Sequence, residues 1–203
     1  MAYFPFYIDV KGRKCMIIGG GRVALRKAEK LLGFDCNITV VAPEICPELE
    51  ELPVRKLHRA FQDSDLEGAF MAIAATEDSS LNTHIAELCR VRNIHINSVD
   101  DIENCSFIFP ALVHERDITV GISTGGTSPV FAKHLRMLIE DELNDHYLAI
   151  AELLKNYRPL VMCRFDSEKK RKEAMEALLD LCLLDDDLPD SEDIEKLLEA
   201  IDI

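Results

Sequence analysis

One stretch near the start constrains the fold more than any other: Lys14-Cys15-Met16-Ile17-Ile18-Gly19-Gly20-Gly21-Arg22-Val23-Ala24. An apolar run of strand length enters three glycines, and a helical apolar period begins directly beyond them. Strand, tight turn and helix are predicted in that order. Gly19, Gly21 and Ala24 fit the spacing G-x-G-x-x-G/A of dinucleotide sites, where each position has a physical task. Gly19 permits the sharp turn, Gly21 leaves room for a pyrophosphate against the backbone, and Ala24 lets helix and strand pack closely. The helix starting near Arg22 aims unpaired N–H groups and the positive end of its dipole at the phosphates. The same turn can also be a tight connection that binds nothing, so the pattern around it decides.

That pattern continues as strand and helix in alternation. The first helix spans about 22–33, with Val23, Ala24, Ala28, Leu31 and Leu32 at three- and four-residue steps and Gly33 placed to cap its end. A second strand, Asn37–Ala42, stops at Pro43. NAD sites commonly place an acid at the end of this strand to bind the ribose hydroxyls. Pro43-Glu44 stands there; Glu44 is a residue or two late, and no arginine follows to take a 2′-phosphate, which points to NAD rather than NADP. Strands are predicted near Val54–His58, Phe70–Ala75 and Ile94–Val99, with a helix at about 79–92. Ala75 and Thr76 are small residues at a strand end where a cofactor can lie close, and Thr76 or Asp78 caps the next helix. The strand Ile94–Val99 delivers Asp100-Asp101 to the carboxyl edge, where doubly wound sheets place ligands. Ser106–Phe109 and Ile118–Ile122 read as two further strands. The expected class is α/β, a Rossmann-like, mostly parallel sheet.

The texture changes at Ser123-Thr124-Gly125-Gly126-Thr127-Ser128-Pro129, a polar glycine-rich loop that opens a helix over about 129–143 with Pro129 in its first turn. Beyond Asn144 the periodicity is helical alone, at about 146–157, 168–184 and 191–201, with Ser191 capping the last helix.

Bulk properties exclude several classes. No apolar run approaches the ~18 residues of a membrane span, and the first residues lack a basic region followed by an apolar one, so no signal peptide is expected and the cytoplasm is the predicted compartment. Seven scattered cysteines without a C-x-x-C pair argue for a reduced compartment and against a disulfide framework or a zinc site. Six dispersed histidines add no ligand motif, so no resident metal is expected. Net charge is −14, and from Asp145 onward 16 acids stand against 8 bases. Such a balance speaks against nucleic acid or anionic membrane as partners, though not against an anionic ligand in a locally basic cleft.

Taken in order, Gly19-Gly20-Gly21-Arg22-Val23-Ala24-Leu25-Arg26-Lys27, Thr39-Val40-Val41-Ala42-Pro43, Ala74-Ala75-Thr76-Glu77-Asp78, Asn97-Ser98-Val99-Asp100-Asp101, Cys105-Ser106-Phe107-Ile108-Phe109-Pro110-Ala111 and Ser123–Pro129 make the chain resemble a known family. It is similar to the precorrin-2 dehydrogenase module of sirohaem biosynthesis, which in some members is also a sirohydrochlorin ferrochelatase. The resemblance covers about residues 3–140; the tail matches only as a helical region of suitable length. It implies oxidation of precorrin-2 to sirohydrochlorin with reduction of NAD⁺ and, in two-function members, insertion of Fe²⁺ as a transient substrate. It also implies an NAD-binding domain (1–112), a dimerisation region (113–145) and a helical domain (146–203), assembled as a homodimer. Cofactor positions map onto Arg22, Val23, Pro43 and Glu44 beside Gly19, Gly21, Ala75 and Thr76. The family's key acid falls on Asp100, which would accept the proton released with the hydride or steady positive charge on the macrocycle. Thr124 occupies a cleft position, and Gly125, Gly126, Thr127, Ser128 and Arg136 are the implied donors to the carboxylates of the tetrapyrrole, with Arg116, Lys133 and His134 nearby in sequence. An NAD(H)-sensing regulatory module without catalysis is the alternative. An acid and a second polar loop beyond Asn97 have no task in such a sensor.

Overall fold

The computed structural model describes residues 3–99, 101–185 and 187–202. The chain divides between Phe109 and Pro110 into two compact units, with Tyr3 counted in the second.

The first unit is a five-stranded parallel sheet in the order β3-β2-β1-β4-β5. Its strands are β1 (Lys14–Ile18), β2 (Asn37–Ala42), β3 (Arg55–His58), β4 (Met71–Ala74) and β5 (His95–Ser98). Strands β1 and β4 are buried along nearly their whole length, as a sheet covered on both faces requires. Helix α1 (Arg22–Leu32) covers one face with Ala24, Ala28 and Leu31 against Ile17, Val40 and Ile73. Helix α3 (Ser79–Val91) covers the other with Ile85, Ala86 and Cys89 against Ile18, Ala72 and Ile96. A short helix α2 (Pro47–Glu51), which periodicity alone does not announce, buries Leu49 under α1. Because α1 carries the chain from β1 to one side and β4 returns on the other, the strand order reverses between β1 and β4, and the glycine turn sits at that reversal.

In the second unit, β6 (Ala111–Glu115) and β7 (Ile118–Ile122) form an antiparallel hairpin, followed by helices α4 (Pro129–Glu142), α5 (Asp145–Arg164), α6 (Glu168–Cys182) and α7 (Ser191–Asp202). The last three pack around Val161, Phe165, Ala174, Leu178, Ile194 and Leu198. Among the described residues no helix is long and apolar enough to cross a membrane.

Several local expectations are corrected. Ser106–Phe109 is not a strand: Ser106 attaches to the β5 edge through its side chain and its own N–H, while the strand before β7 is Ala111–Glu115. Helix α5 does not end near residue 157 but continues through Pro159 to Arg164, because burial of Val161 and Phe165 offsets the backbone bond that proline cannot make. Gly33 is the C-cap of α1 as expected, in a right-handed conformation (φ −63°), and Asp35 two residues on carries the left-handed φ of 53°. Asp190, not Ser191, caps α7, its carboxylate accepting from the N–H groups of Glu192 (2.8 Å) and Asp193 (2.9 Å).

Candidate functional site

The ends of β1, β2 and β4 converge on the glycines. The N–H of Gly19 donates to Val41 O (3.0 Å) and the N–H of Ala75 to Ile18 O (2.7 Å), so the turn is hydrogen-bonded to both neighbouring strands. The three glycines do different things. Gly19 has φ +126°, and a Cβ there would lie 2.2 Å from Ala75 O. A Cβ on Gly20 would lie 1.9 Å from Glu44 O, and the Gly20 carbonyl accepts the N–H of Cys46 at 2.8 Å. A Cβ on Gly21 would meet nothing within 4 Å. Gly19 and Gly20 are thus needed by the protein's own backbone, and Gly21 alone leaves its space open on the outside. The middle glycine, silent in the fingerprint, is the one that docks the loop Pro43–Cys46 onto the turn.

Gly21 is the N-cap of α1 and supplies no side-chain acceptor, and the first turn of the helix holds no acid. The N–H groups of Arg22 and Val23 are left for an external anion. Arg22 is exposed and forms no hydrogen bond or ion pair among the described residues, and Val23 is half-buried beside it. Pro43 and Glu44 lie exposed directly after β2. An open glycine, uncapped N–H groups, a free arginine and an acid at the next strand end are a donor set that fits a dinucleotide pyrophosphate and its ribose.

Thr76 closes the opposite side through a residue the motifs do not flag. Asn82, on α3 and 7% exposed, accepts from Thr76 N–H (3.2 Å) and from Thr76 Oγ1 (2.7 Å), and its amide donates to Thr76 O (3.0 Å). Asp78 caps α3, accepting from Ser80 N–H (2.9 Å) and Leu81 N–H (3.1 Å); the Ser80 hydroxyl, together with these bonds, holds its carboxyl below the usual range. Only the spacing of an N-cap Asp and a polar residue four positions on could have drawn attention to Asn82.

Asp100 lies outside the described residues. Up to Val99 the β5 end is well defined: Val99 N–H donates to Ala74 O (2.9 Å), and Cys105 Sγ accepts from Ser98 N–H (3.1 Å). Burial pushes the Cys105 thiol up from its ordinary range. Asp101 caps a short 3-10 turn, accepting from Asn104 N–H (3.3 Å) and Asn104 Nδ2 (2.6 Å). Ser98 Oγ is buried and has no hydrogen-bond partner among the described residues. Beside this end, Lys27 on α1 lies over the Phe109 ring, its Nζ 3.9 Å from the centroid. Burial, reinforced by Lys30 and Arg26 and opposed by Cys105, lowers its pKa to about 8.

The remaining predicted residues belong to the second unit. Thr124 Oγ1 accepts from Ser128 N–H and donates to Ser128 O, both at 3.1 Å, pinning the loop across its base. Gly125 (φ 62°) and Gly126 (φ 84°) take left-handed conformations that a side chain would strain. With Thr127 they are exposed, and Ser128 caps α4 by accepting from Phe131 N–H (3.2 Å). Arg136 is ion-paired with Glu140 one turn on, and Arg116 with Glu152 at 3.4 Å. Lys133 and His134 are exposed on α4. Among the described residues no group of three or more His, Cys, Asp or Glu side chains could hold a metal ion. The cofactor residues are therefore brought together in the first unit and the loop residues in the second.

A parallel sheet of order 3-2-1-4-5, with a ligand-ready glycine turn at its reversal, defines a Rossmann-type dinucleotide-binding protein. Residues 6–111 match a family described as "Putative NAD(P)-binding", and residues 116–142 match one described as "Sirohaem biosynthesis protein central". The first match spans more than half of the chain, which belongs to that NAD(P)-binding family. The siroheme synthase of Thioalkalivibrio sulfidiphilus is 41% identical over 184 residues, 89% of this chain and 38% of that protein. The siroheme synthase of Pseudoalteromonas translucida is 36% identical over 184 residues, 89% of this chain and 39% of the relative. The chain thus spans less than half the length of these relatives. A solved structure titled "SirC, precorrin-2 dehydrogenase" shares the fold with a TM-score of 0.71 at 24% identity, covering 98% of both chains.

Proposed function

We propose that the protein is an NAD-dependent oxidoreductase that converts precorrin-2 to sirohydrochlorin in sirohaem biosynthesis, in the cytoplasm. The observation that carries this reading is the glycine turn, built for a dinucleotide, in a chain that aligns over 89% of its length with siroheme synthases. Gly19 and Gly20 hold the turn rigid, Gly21 and the first N–H groups of α1 with Arg22 receive the pyrophosphate, and Glu44 meets the ribose. Ala75 and Thr76 border the site on the other side. A nicotinamide bound here supplies the hydride acceptor. Asp100, which follows the β5 end, accepts the proton released from the macrocycle. The exposed Gly125–Thr127 tip of the Thr124–Ser128 loop, and Arg136 if it releases Glu140, bind substrate carboxylates. Dimerisation through residues 113–145 is supported by Val130, Phe131, Met137 and Leu138, apolar side chains that α4 leaves exposed.

The test is single-turnover absorbance with precorrin-2 and NAD⁺. The wild type is expected to form sirohydrochlorin, and Asp100→Ala to slow the step by roughly 100-fold or more, the usual contribution of a positioned proton acceptor. A protein that binds NAD(H) but leaves precorrin-2 unchanged would instead be a nucleotide-sensing module. Asp100→Ala turning over at the wild-type rate would sink the role of that acid. The name of the relatives refers to the metallated product, so Fe²⁺ insertion is assigned by the same preparation: addition of Fe²⁺ to sirohydrochlorin with the protein either accelerates sirohaem formation or does not.

A further inference from the structure

The first unit carries, at the strand ends away from the glycines, a pocket whose charge opposes that of the chain as a whole. Alternate residues of a strand share a face. The register sets Met16, Thr39 and Arg55 in one row and Ile18, Val41 and Leu57 in the next. Met16, Ile18 and Val41 are closed into the core beneath α3, and half-buried Leu57 with Met16 forms the apolar part of the pocket lining. The first row, with Lys14 on the same face, lies nearer the N-terminal strand ends, where Arg59–Asp65 forms a wall. The cavity so formed measures about 220 Å³ and includes Lys14, Thr39, Arg55, Arg59, Ser64 and Asp65 in its lining. The Met16–Thr39–Arg55 row lies three strand residues before Gly19, roughly 10 Å at about 3.3 Å each.

Three of these residues are cationic, and Asp65 is the one acid. Asp65 is fully engaged: it accepts from Arg59 Nη1 (2.8 Å), Arg59 Nη2 (2.5 Å) and Gln62 N–H (2.9 Å), and the Arg59 guanidinium holds its carboxyl below the usual range. The Arg59–Asp65 pair is thus a neutral, fixed wall. Lys14 is positioned by Asp65 O (2.9 Å) and Glu67 O (2.6 Å), which leaves its third N–H unused; its charge acts on the Asp65 carboxyl from a distance but forms no ion pair among the described residues. Arg55 presents its guanidinium to solvent, with no partner among the described residues. The Thr39 and Ser64 hydroxyls also make no hydrogen bond there. Two positive charges remain uncompensated in a chain of net charge −14.

We propose that this pocket binds a tetrahedral oxyanion, with Arg55 as the principal ligand and Lys14, Thr39 and Ser64 as further donors. Two oxygens of such an anion match the guanidinium fork, and the anchored ammonium of Lys14 completes the charge. The free inorganic anion and the terminal group of a phosphomonoester present the same chemistry.

The test is a ¹H–¹⁵N NMR titration of the full chain at constant ionic strength with inorganic phosphate, with glycerol 3-phosphate and with chloride as control. Phosphate is expected to shift the amides around Thr39, Arg55 and Ser64 saturably, and Arg55→Gln to weaken that binding about tenfold or more. Because Arg55 is exposed, the variant keeps the fold, and it keeps wild-type affinity for NAD⁺, which binds at the other strand ends. Glycerol 3-phosphate saturating at lower concentration than phosphate assigns an ester; equal saturation assigns the free anion. Shifts confined to Gly19–Ala24, equal affinity in Arg55→Gln, or a response matched by chloride would each overturn the site.

Discussion

The three consecutive glycines should respond to alanine in opposite ways. At Gly20 the new methyl would stand 1.9 Å from Glu44 O and 2.9 Å from Ile45 Cα, both backbone atoms that cannot yield by changing rotamer. The β1–α1 turn or the loop after β2 must move, and the bond from Cys46 N–H to Gly20 O is strained with it. Overpacking of this kind costs about 3 kcal/mol, the upper end for an inserted methyl. For a chain of this size each kcal/mol lowers Tm by about 2–4 °C, so Gly20→Ala should lose roughly 6–12 °C. Gly21 has φ −89° and ψ −172°, an extended conformation open to any residue, and its Cβ would meet nothing. The gain from a stiffer unfolded chain, about 0.4–1 kcal/mol, is offset by a poorer N-cap of similar size. Gly21→Ala should therefore unfold within about 1 kcal/mol of wild type. Its methyl, however, stands where the pyrophosphate must approach, and NAD⁺ affinity should fall at least tenfold, or about 1.4 kcal/mol. Thermal unfolding with and without NAD⁺, together with calorimetric titration, separates the two effects. A Gly21→Ala protein that binds NAD⁺ as tightly as wild type, or a Gly20→Ala protein that melts with it, would refute the division of labour.

Two further outcomes follow from single side chains. Asn82→Ala removes three hydrogen bonds from Thr76 and leaves its N–H and carbonyl unpaired at a half-buried site; a loss of about 2–4 kcal/mol in chemical denaturation is expected, with weaker NAD⁺ binding even though Asn82 is buried behind the loop. Lys27 has a folded pKa of about 8, below its unfolded value of about 10.4, because burial disfavours the charged form. Its penalty on folding is therefore full below pH 8 and is relieved as pH rises from 8 toward 10.4. Lys27→Met should gain stability relative to wild type at pH 7, and that gain should shrink by pH 10 in urea unfolding; a pH-independent difference would show that the lysine is not titrating as described.

Local rules carried far where one residue governs its own surroundings: the alternation of apolar runs predicts the β1–α1–β2 order, Asp78 and Ser128 sit where N-caps belong, and Gly125 and Gly126 lie where the backbone turns left-handed. They fell short where an adjacent residue or a distant segment competes. Ser191 has the composition of a cap, yet Asp190 reaches the same N–H groups. The helical period reads as ending near residue 157, yet packing of Val161 and Phe165 against α6 and α7 carries the helix on through Pro159. Ser106 lies in a strand-like run, yet it meets β5 only at Ile96, through its hydroxyl and its own N–H rather than a continuing ladder.

That a dinucleotide turn exists is written in the residues alone, because strand, glycine spacing and helix are contiguous and short-range sterics suffice to specify them. What each glycine is for emerges only once the chain is folded. Whether a missing Cβ admits a ligand or another stretch of backbone depends on what lies beside it, and the neighbours of Gly19 and Gly20 are Ala75 and Glu44, far away in the chain. The same holds for the pocket at the other strand ends: Lys14, Thr39 and Arg55 become neighbours only through parallel register, which no local pattern encodes.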